Sequence, residues 1–112
     1  MHIRLAYLRI DRKGDQVVFD TPNVVSTYKQ TPRYVTIEAG QRMVESHDHE
    51  VSISGLISAK DVSALKSLED RAVHVHGKTT RGLQVDGIGV LSSDGNAFVI
   101  KYQGTKAFKV YR

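Results

Sequence analysis

The sequence predicts a mainly β (α+β) domain: a small antiparallel β-barrel or sandwich with one short α-helix near residues 59–71. Three observations carry this. Val51, Ile53 and Ile57 share one face of an alternating run, with Ser52 and Ser54 on the other. Val62, Leu65 and Leu68 then fall at helical spacing. Three β-like runs follow, at 72–76, 83–91 and 97–102. A strand, one helix and a meander of strands suggest a barrel that its helix closes at one end or face.

The elements before this segment also read as β. Ile3, Leu5 and Tyr7 occupy one face of a first strand. A turn over residues 11–15, with Gly14 available for positive φ, leads into a second strand at 16–19, making a hairpin. Residues 21–33 hold both prolines, Pro22 and Pro32, and read as loop or edge, with a short strand at 24–28. A loop of this size on a small domain is usually functional, so it is expected to be an assembly arm. Residues 34–38 alternate, 39–42 turn, and 43–57 form one long strand or two, split near His47. Gly55 marks a bulge or a close backbone contact.

Ser58 is placed to cap the helix by accepting from the backbone N–H of Asp61. Asp61 early and Arg71 late suit the helix dipole. A helix this short needs the sheet beneath its apolar stripe. Val73 and Val75 then face inward, with His74 and His76 outward, and residues 77–82 form a polar loop. Leu83 and Val85 sit at odd positions, whereas Ile88 and Val90 sit at even ones. That predicts a bulge or bend near Asp86-Gly87, because side-chain direction has period 2. Residues 93–96 give the clearest hairpin signal. Phe98, Ile100 and Tyr102 line one more strand face, and Phe108 and Val110 a short last one.

At 112 residues the chain is expected to form a single domain, 1–112. Such a chain buries roughly two-thirds of its unfolded surface, enough for one core. Apolar content of 40% and charged content of 25% describe an ordinary globular protein. With no cysteine there is no disulfide, thiol nucleophile or thiolate metal site, which fits a reducing compartment. The start Met-His-Ile-Arg-Leu lacks the apolar core of a signal peptide. No apolar run approaches the roughly 20 residues that span a bilayer, so no membrane partner is expected. The net charge of +4 comes from scattered basic residues, concentrated slightly at 9–13 and 101–112. A solvated surface accounts for it better than a nucleic-acid face.

Candidate chemistry is sparse. His47-Asp48-His49 and His74-Val75-His76 are H-x-H pairs, and on a strand each puts two imidazoles on one face, a start for a metal site. Their phases oppose convergence, because His47 and His49 share parity with Val51 and Ile53 while His74 and His76 oppose Val73 and Val75. Surface histidines are therefore the plainer reading, and no metal or other cofactor is expected. Asp48 and Glu50, and Asp61, Glu69 and Asp70, read as solvated carboxylates rather than an acid–base pair. The nucleophile elbow, dinucleotide fingerprint and phosphate loop are all absent, so the glycines at 77, 87 and 89 read as turn residues. Lys101-Tyr102, Lys106, Phe108-Lys109 and Tyr111-Arg112 interleave basic and aromatic residues, as a single-strand-binding barrel would. A terminal strand with one buried face gives the same alternation.

The stretches HEVSISGLISAKDVSALKSLEDRAVHVHG and RGLQVDGIGVLSSDGNAFVIKYQG resemble the barrel domain of bacteriophage tail-tube, distal-tail and baseplate-hub proteins. The likeness spans roughly residues 34–103 and lies in hydrophobicity and glycine pattern: a strand ending in a small residue, a short leucine-bearing helix, then a meander with a glycine-bracketed hairpin. This chain is shorter than the larger members and its N-terminal hairpin is its own.

The resemblance implies a structural component of a phage or phage-like virion tail, made in the host cytoplasm, without catalysis. It implies a homo-oligomeric ring, commonly a homohexamer, that contacts other tail proteins. Tyr28, Arg33, Arg71, Lys78 and Arg81 are the expected assembly contacts, chosen from loops and element ends. The alternative is a small-barrel binding module for nucleic acid or a protein partner; a metal-dependent small-barrel enzyme ranks third.

Overall fold

The computed structural model describes residues 2–20, 23–103 and 108–112. It contains β1 (His2–Arg12), β2 (Asp15–Phe19), β3 (Val24–Thr36), β4 (Arg42–Gly55), α1 (Ala59–Ser67), β5 (Ala72–Thr79), β6 (Gln84–Asp94), β7 (Ala97–Gln103) and β8 (Phe108–Tyr111). The protein is mainly β, and six antiparallel strands close into a barrel in the order β1-β3-β4-β7-β6-β5, with β5 returning to β1. β2 runs beside β1, and β8 beside β6, each taking an edge that the barrel strands leave open.

The predicted turns close as their residues dictate. Lys13 (φ 49°) and Gly14 (φ 92°) both adopt positive φ between the paired Arg12 and Asp15, which matches the twist of a two-residue hairpin. Asp94 pairs with Ala97 across Gly95-Asn96. The helix begins where its cap predicts, with Ser58 Oγ accepting from the Asp61 N–H at 3.1 Å. It ends at Ser67 rather than Arg71. Asp70 turns to φ 62° and its N–H donates to the Leu91 carbonyl at 2.8 Å, which pulls the chain onto β6. Ser93 donates to Glu69 Oε1 from its N–H (3.0 Å) and its hydroxyl (2.5 Å). These bonds hold the Glu69 carboxyl below its ordinary pKa. Leu65 and Leu68 are buried in the same core as Val17, Phe19, Ile53 and Leu91, so the helix sets its apolar stripe against the barrel core, next to β2.

Several phases differ from the sequence reading. In β1, Leu5 faces inward but Tyr7 does not; Leu8 and Ile10 are the buried residues beyond it. The register against β5 shifts between Leu5 and Tyr7, so Ala6 is the extra residue of a bulge that flips the face. In β6 the expected phase change does not occur. Val85, Gly89 and Leu91 all point inward, and Ile88 and Val90 are exposed on the outer wall. Gly89 is a barrel residue, not a turn residue: a Cβ there would lie 2.5 Å from Ile100 Cγ2. Gly77 likewise lies within β5 and faces inward beside Leu5. Gly55 makes the close backbone contact expected of it, because a Cβ would strike the Asn23 carbonyl and φ is 113°.

Residues 21–33 are the largest correction. Thr21 and Pro22 lie outside the described residues, but from Val24 onward the segment is strand, paired with β4 as far as Thr36. Pro32 is accommodated because β1 reaches only Lys29, which leaves the donor-free position clear of that neighbour. β4 is one strand, not two. Its irregularity lies where Arg33 pairs with Ser46 and Tyr34 with Val44, leaving Glu45 as a bulge.

Candidate functional site

Residues 21–33, expected to be a loop, are strand from Val24 onward and run into a two-stranded ribbon that projects from the barrel. β1 ends its pairing with β3 at Lys29, and β7 ends its pairing with β4 at Asp48. Beyond those points β3 and β4 pair with each other as far as Thr36 and Arg42. The ribbon makes the molecule long, 54 Å against 29 and 26 Å in the other directions.

Both faces of the ribbon tip are apolar and open. Tyr34 pairs with Val44 on one face, and Val35 with Met43 on the other. Tyr34 and Met43 are each 54% exposed, and Val44 and Ile37 are also exposed. The Arg42 guanidinium lies over the Tyr34 ring at 5.4 Å. Arg33 and Asp48 form an exposed ion pair at 3.7 Å nearer the barrel. A second exposed apolar pair, Ile88 and Val90, lies on the outer wall of β6.

The foot of the ribbon is packed by contrast. Tyr28, His49 and Phe108 are buried there, with Tyr102 packed against Phe108 at a ring separation of 5.9 Å. His49 and Phe108 stack at 5.1 Å with a 14° interplanar angle. Tyr28 Oη and His49 Nδ1 are 2.7 Å apart. Burial pushes the Tyr28 phenol up to about 12. Outside this foot, Lys29, Thr31, Asp48, Glu50, Lys101 and Tyr102 line a cleft of about 430 Å³ whose charges alternate in sign.

The five expected assembly contacts separate. Arg33 is exposed on the ribbon, and Lys78 and Arg81 are exposed at the same end of the barrel, where Thr79 pairs with Leu5 near the start of β1. Arg71 is exposed at the opposite end, after the helix. Tyr28 is fully buried, so it is a core residue and not a surface contact. Its even-numbered position on a strand that continues past residue 28 places it inside. The exposed apolar residues of the tip were missed because alternation at 34–38 read as an ordinary half-buried strand.

The two H-x-H pairs part as their parity requires. His49 points into the core, which corrects its reading as a surface histidine, and His47 lies beside it with ring centroids 6.4 Å apart. His74 and His76 stand on the outer wall, 6.3 Å apart and nearly parallel. Register brings two acids to them: Asp11 of β1 pairs with His74, and Asp86 of β6 pairs with His76. His76 Nδ1 is 3.0 Å from Asp86 Oδ1, and its Nε2 is 3.9 Å from Asp11 Oδ2. Neither acid was legible as a neighbour without the strand order.

The interleaved basic and aromatic residues differ in burial: Tyr111 is exposed. Phe108 is buried and Tyr102 is partly buried against it. Lys106 lies outside the described residues. In β8 only Phe108 is buried, and Lys109, Val110 and Tyr111 are exposed.

The fold and this surface define a small closed antiparallel β-barrel with a projecting ribbon. Among known proteins, no family model, curated protein or solved structure matches the chain.

Proposed function

We propose that this chain is a non-catalytic structural subunit that assembles with copies of itself into a ring, as a component of a phage or phage-like tail. The observation that carries the reading is the ribbon tip, where Tyr34, Ile37, Met43 and Val44 are exposed on an extension of a barrel whose core is elsewhere complete. A two-stranded ribbon is marginal alone in water, and its open edges and apolar faces favour pairing with another chain.

A second copy is the occupant that the surface suits. The tip and the Ile88–Val90 strip are two unlike apolar patches on one molecule. Unlike patches that fit each other give heterologous contacts, which close into rings when the rotation permits. The mixed charges of Lys29, Asp48, Glu50 and Lys101 at the ribbon foot supply complementary pairs to the same contact. The tail assignment, the hexameric ring size, the other tail proteins as further partners and the virion location rest on the resemblance of residues 34–103.

Negative-stain electron microscopy of the concentrated, untagged protein tests this. Ring-shaped particles of uniform diameter are expected. Single 12.5 kDa chains at all concentrations, seen in parallel by light scattering, contradict it.

A further inference from the structure

We infer that Asp11, His74 and His76 form a zinc-type divalent cation site on the outer barrel wall, across the β1–β5 seam that closes the barrel. Carboxylate oxygen and imidazole nitrogen from these three residues all come within 4.8 Å of one another. In a tetrahedral zinc site with bonds near 2.0–2.1 Å, donor atoms stand about 3.4 Å apart. The His76–Asp11 pair is already at 3.9 Å. His74 is exposed, its ring stacked beside that of His76, and the remaining closure, on the order of 1 Å for the widest pair, is the scale of a side-chain torsion change.

The surroundings supply what such a site requires. Asp86 accepts from His76 Nδ1 at 3.0 Å, which fixes the tautomer and leaves Nε2 facing Asp11. That carboxylate–imidazole support is the usual outer shell of a histidine metal ligand. Asp11 is balanced by Arg9 and Asp86 by Lys109, its cross-strand partner, so attraction for a divalent cation comes from the three donor atoms themselves rather than from a net negative field. Arg9 Nε touches only one oxygen of Asp11, Oδ2, at 3.1 Å. That is the same oxygen that lies 3.9 Å from His76 Nε2, so Arg9 competes with the metal for it. Two imidazoles and one carboxylate leave a fourth position open to water. Imidazole suits zinc, nickel, copper or iron; a redox-inactive, tetrahedral ion fits this ligand number on a rigid strand pair.

Bound there, the ion ties β1 to β5 and stabilises the closed barrel by its preference for the folded state. The site is separate from the ribbon tip, so it is tested on the Tyr34→Asp variant as well as on the natural chain. Titration of untagged protein with zinc chloride, followed by calorimetry and by thermal unfolding, is the experiment. One zinc per chain and a raised melting temperature are expected. His74→Ala and Asp11→Asn each weaken binding at least about tenfold and abolish the thermal shift, while Asp86→Asn weakens it by about tenfold through His76. Arg9→Gln tightens binding, an outcome that a merely structural cluster does not give. His2→Ala leaves it unchanged. Absence of saturable binding overturns the assignment. So does binding that survives the His74→Ala/His76→Ala pair, provided the apo melting temperature shows both variants folded.

Discussion

Tyr28 Oη lies 2.7 Å from His49 Nδ1, and both side chains are buried where the ribbon leaves the barrel. The pair joins β3 to β4 one residue short of the last barrel pairings, at Lys29 and Asp48, so it sets the root from which the ribbon projects. Tyr28→Phe removes the hydroxyl while keeping the ring. It withdraws a hydrogen-bond partner from a buried imidazole, at a cost of about 1–3 kcal/mol. Urea unfolding at neutral pH reads this directly. Adding His49→Leu to Tyr28→Phe is expected to cost less than the sum of the two single changes, because both polar groups then leave together.

The same phenol makes stability depend on alkaline pH. Its pKa is about 12 in the folded protein, against 10.0 ordinarily, because burial disfavours the phenolate. Between those values the unfolded chain releases the proton and the folded chain keeps it. The unfolded state is then favoured increasingly, so stability is full below pH 10 and falls as pH rises towards 12. The loss is on the order of 2–3 kcal/mol. Denaturation midpoints across this range, compared with those of Tyr28→Phe, isolate the contribution: the variant's slope is expected to be shallower.

Gly89 of β6 lies diagonally beside Ile100 of the adjacent strand β7, with the Lys101 carbonyl also close. Gly89→Ala places a methyl where backbone and side chain already stand. Overpacking of this kind typically costs about 1–3 kcal/mol. Thermal unfolding of Gly89→Ala, alone and with Ile100→Ala, checks the cause. In the Ile100→Ala background the glycine substitution is expected to cost distinctly less.

These residues show what a sequence discloses of such a fold. The helix, its Ser58 cap and the Lys13-Gly14 and Gly95-Asn96 turns were legible because their chemistry is local. The barrel's inner face was legible where it is lined by Val, Ile and Leu. It was not legible at Gly77 and Gly89, since a residue without a side chain carries no hydrophobic signal and reads as a turn. The Ala6 and Glu45 bulges were hidden for a different reason: one inserted residue reverses every side chain beyond it, and only pairing reveals the insertion. Pro32 concealed the ribbon because proline excludes a central strand but not an edge. His49 lay in plain view, in phase with Val51 and Ile53, yet its buried partner sits 21 residues away on another strand. Distance in sequence hid Asp11 and Asp86 from the outer histidines in the same way.

The account rests on the ribbon tip as the surface that joins subunits. Tyr34→Asp with Met43→Asp puts a charge on each face of the tip, at positions that contribute little to the monomer's core. Sedimentation velocity of this variant beside the natural chain, with melting temperature as the control for folding, is the most direct measurement. The natural chain is expected to sediment as a multi-subunit particle, and the variant as a single folded chain with an unchanged melting temperature. An assembly that persists undiminished in the variant, or a natural chain that sediments only as a monomer, contradicts the account.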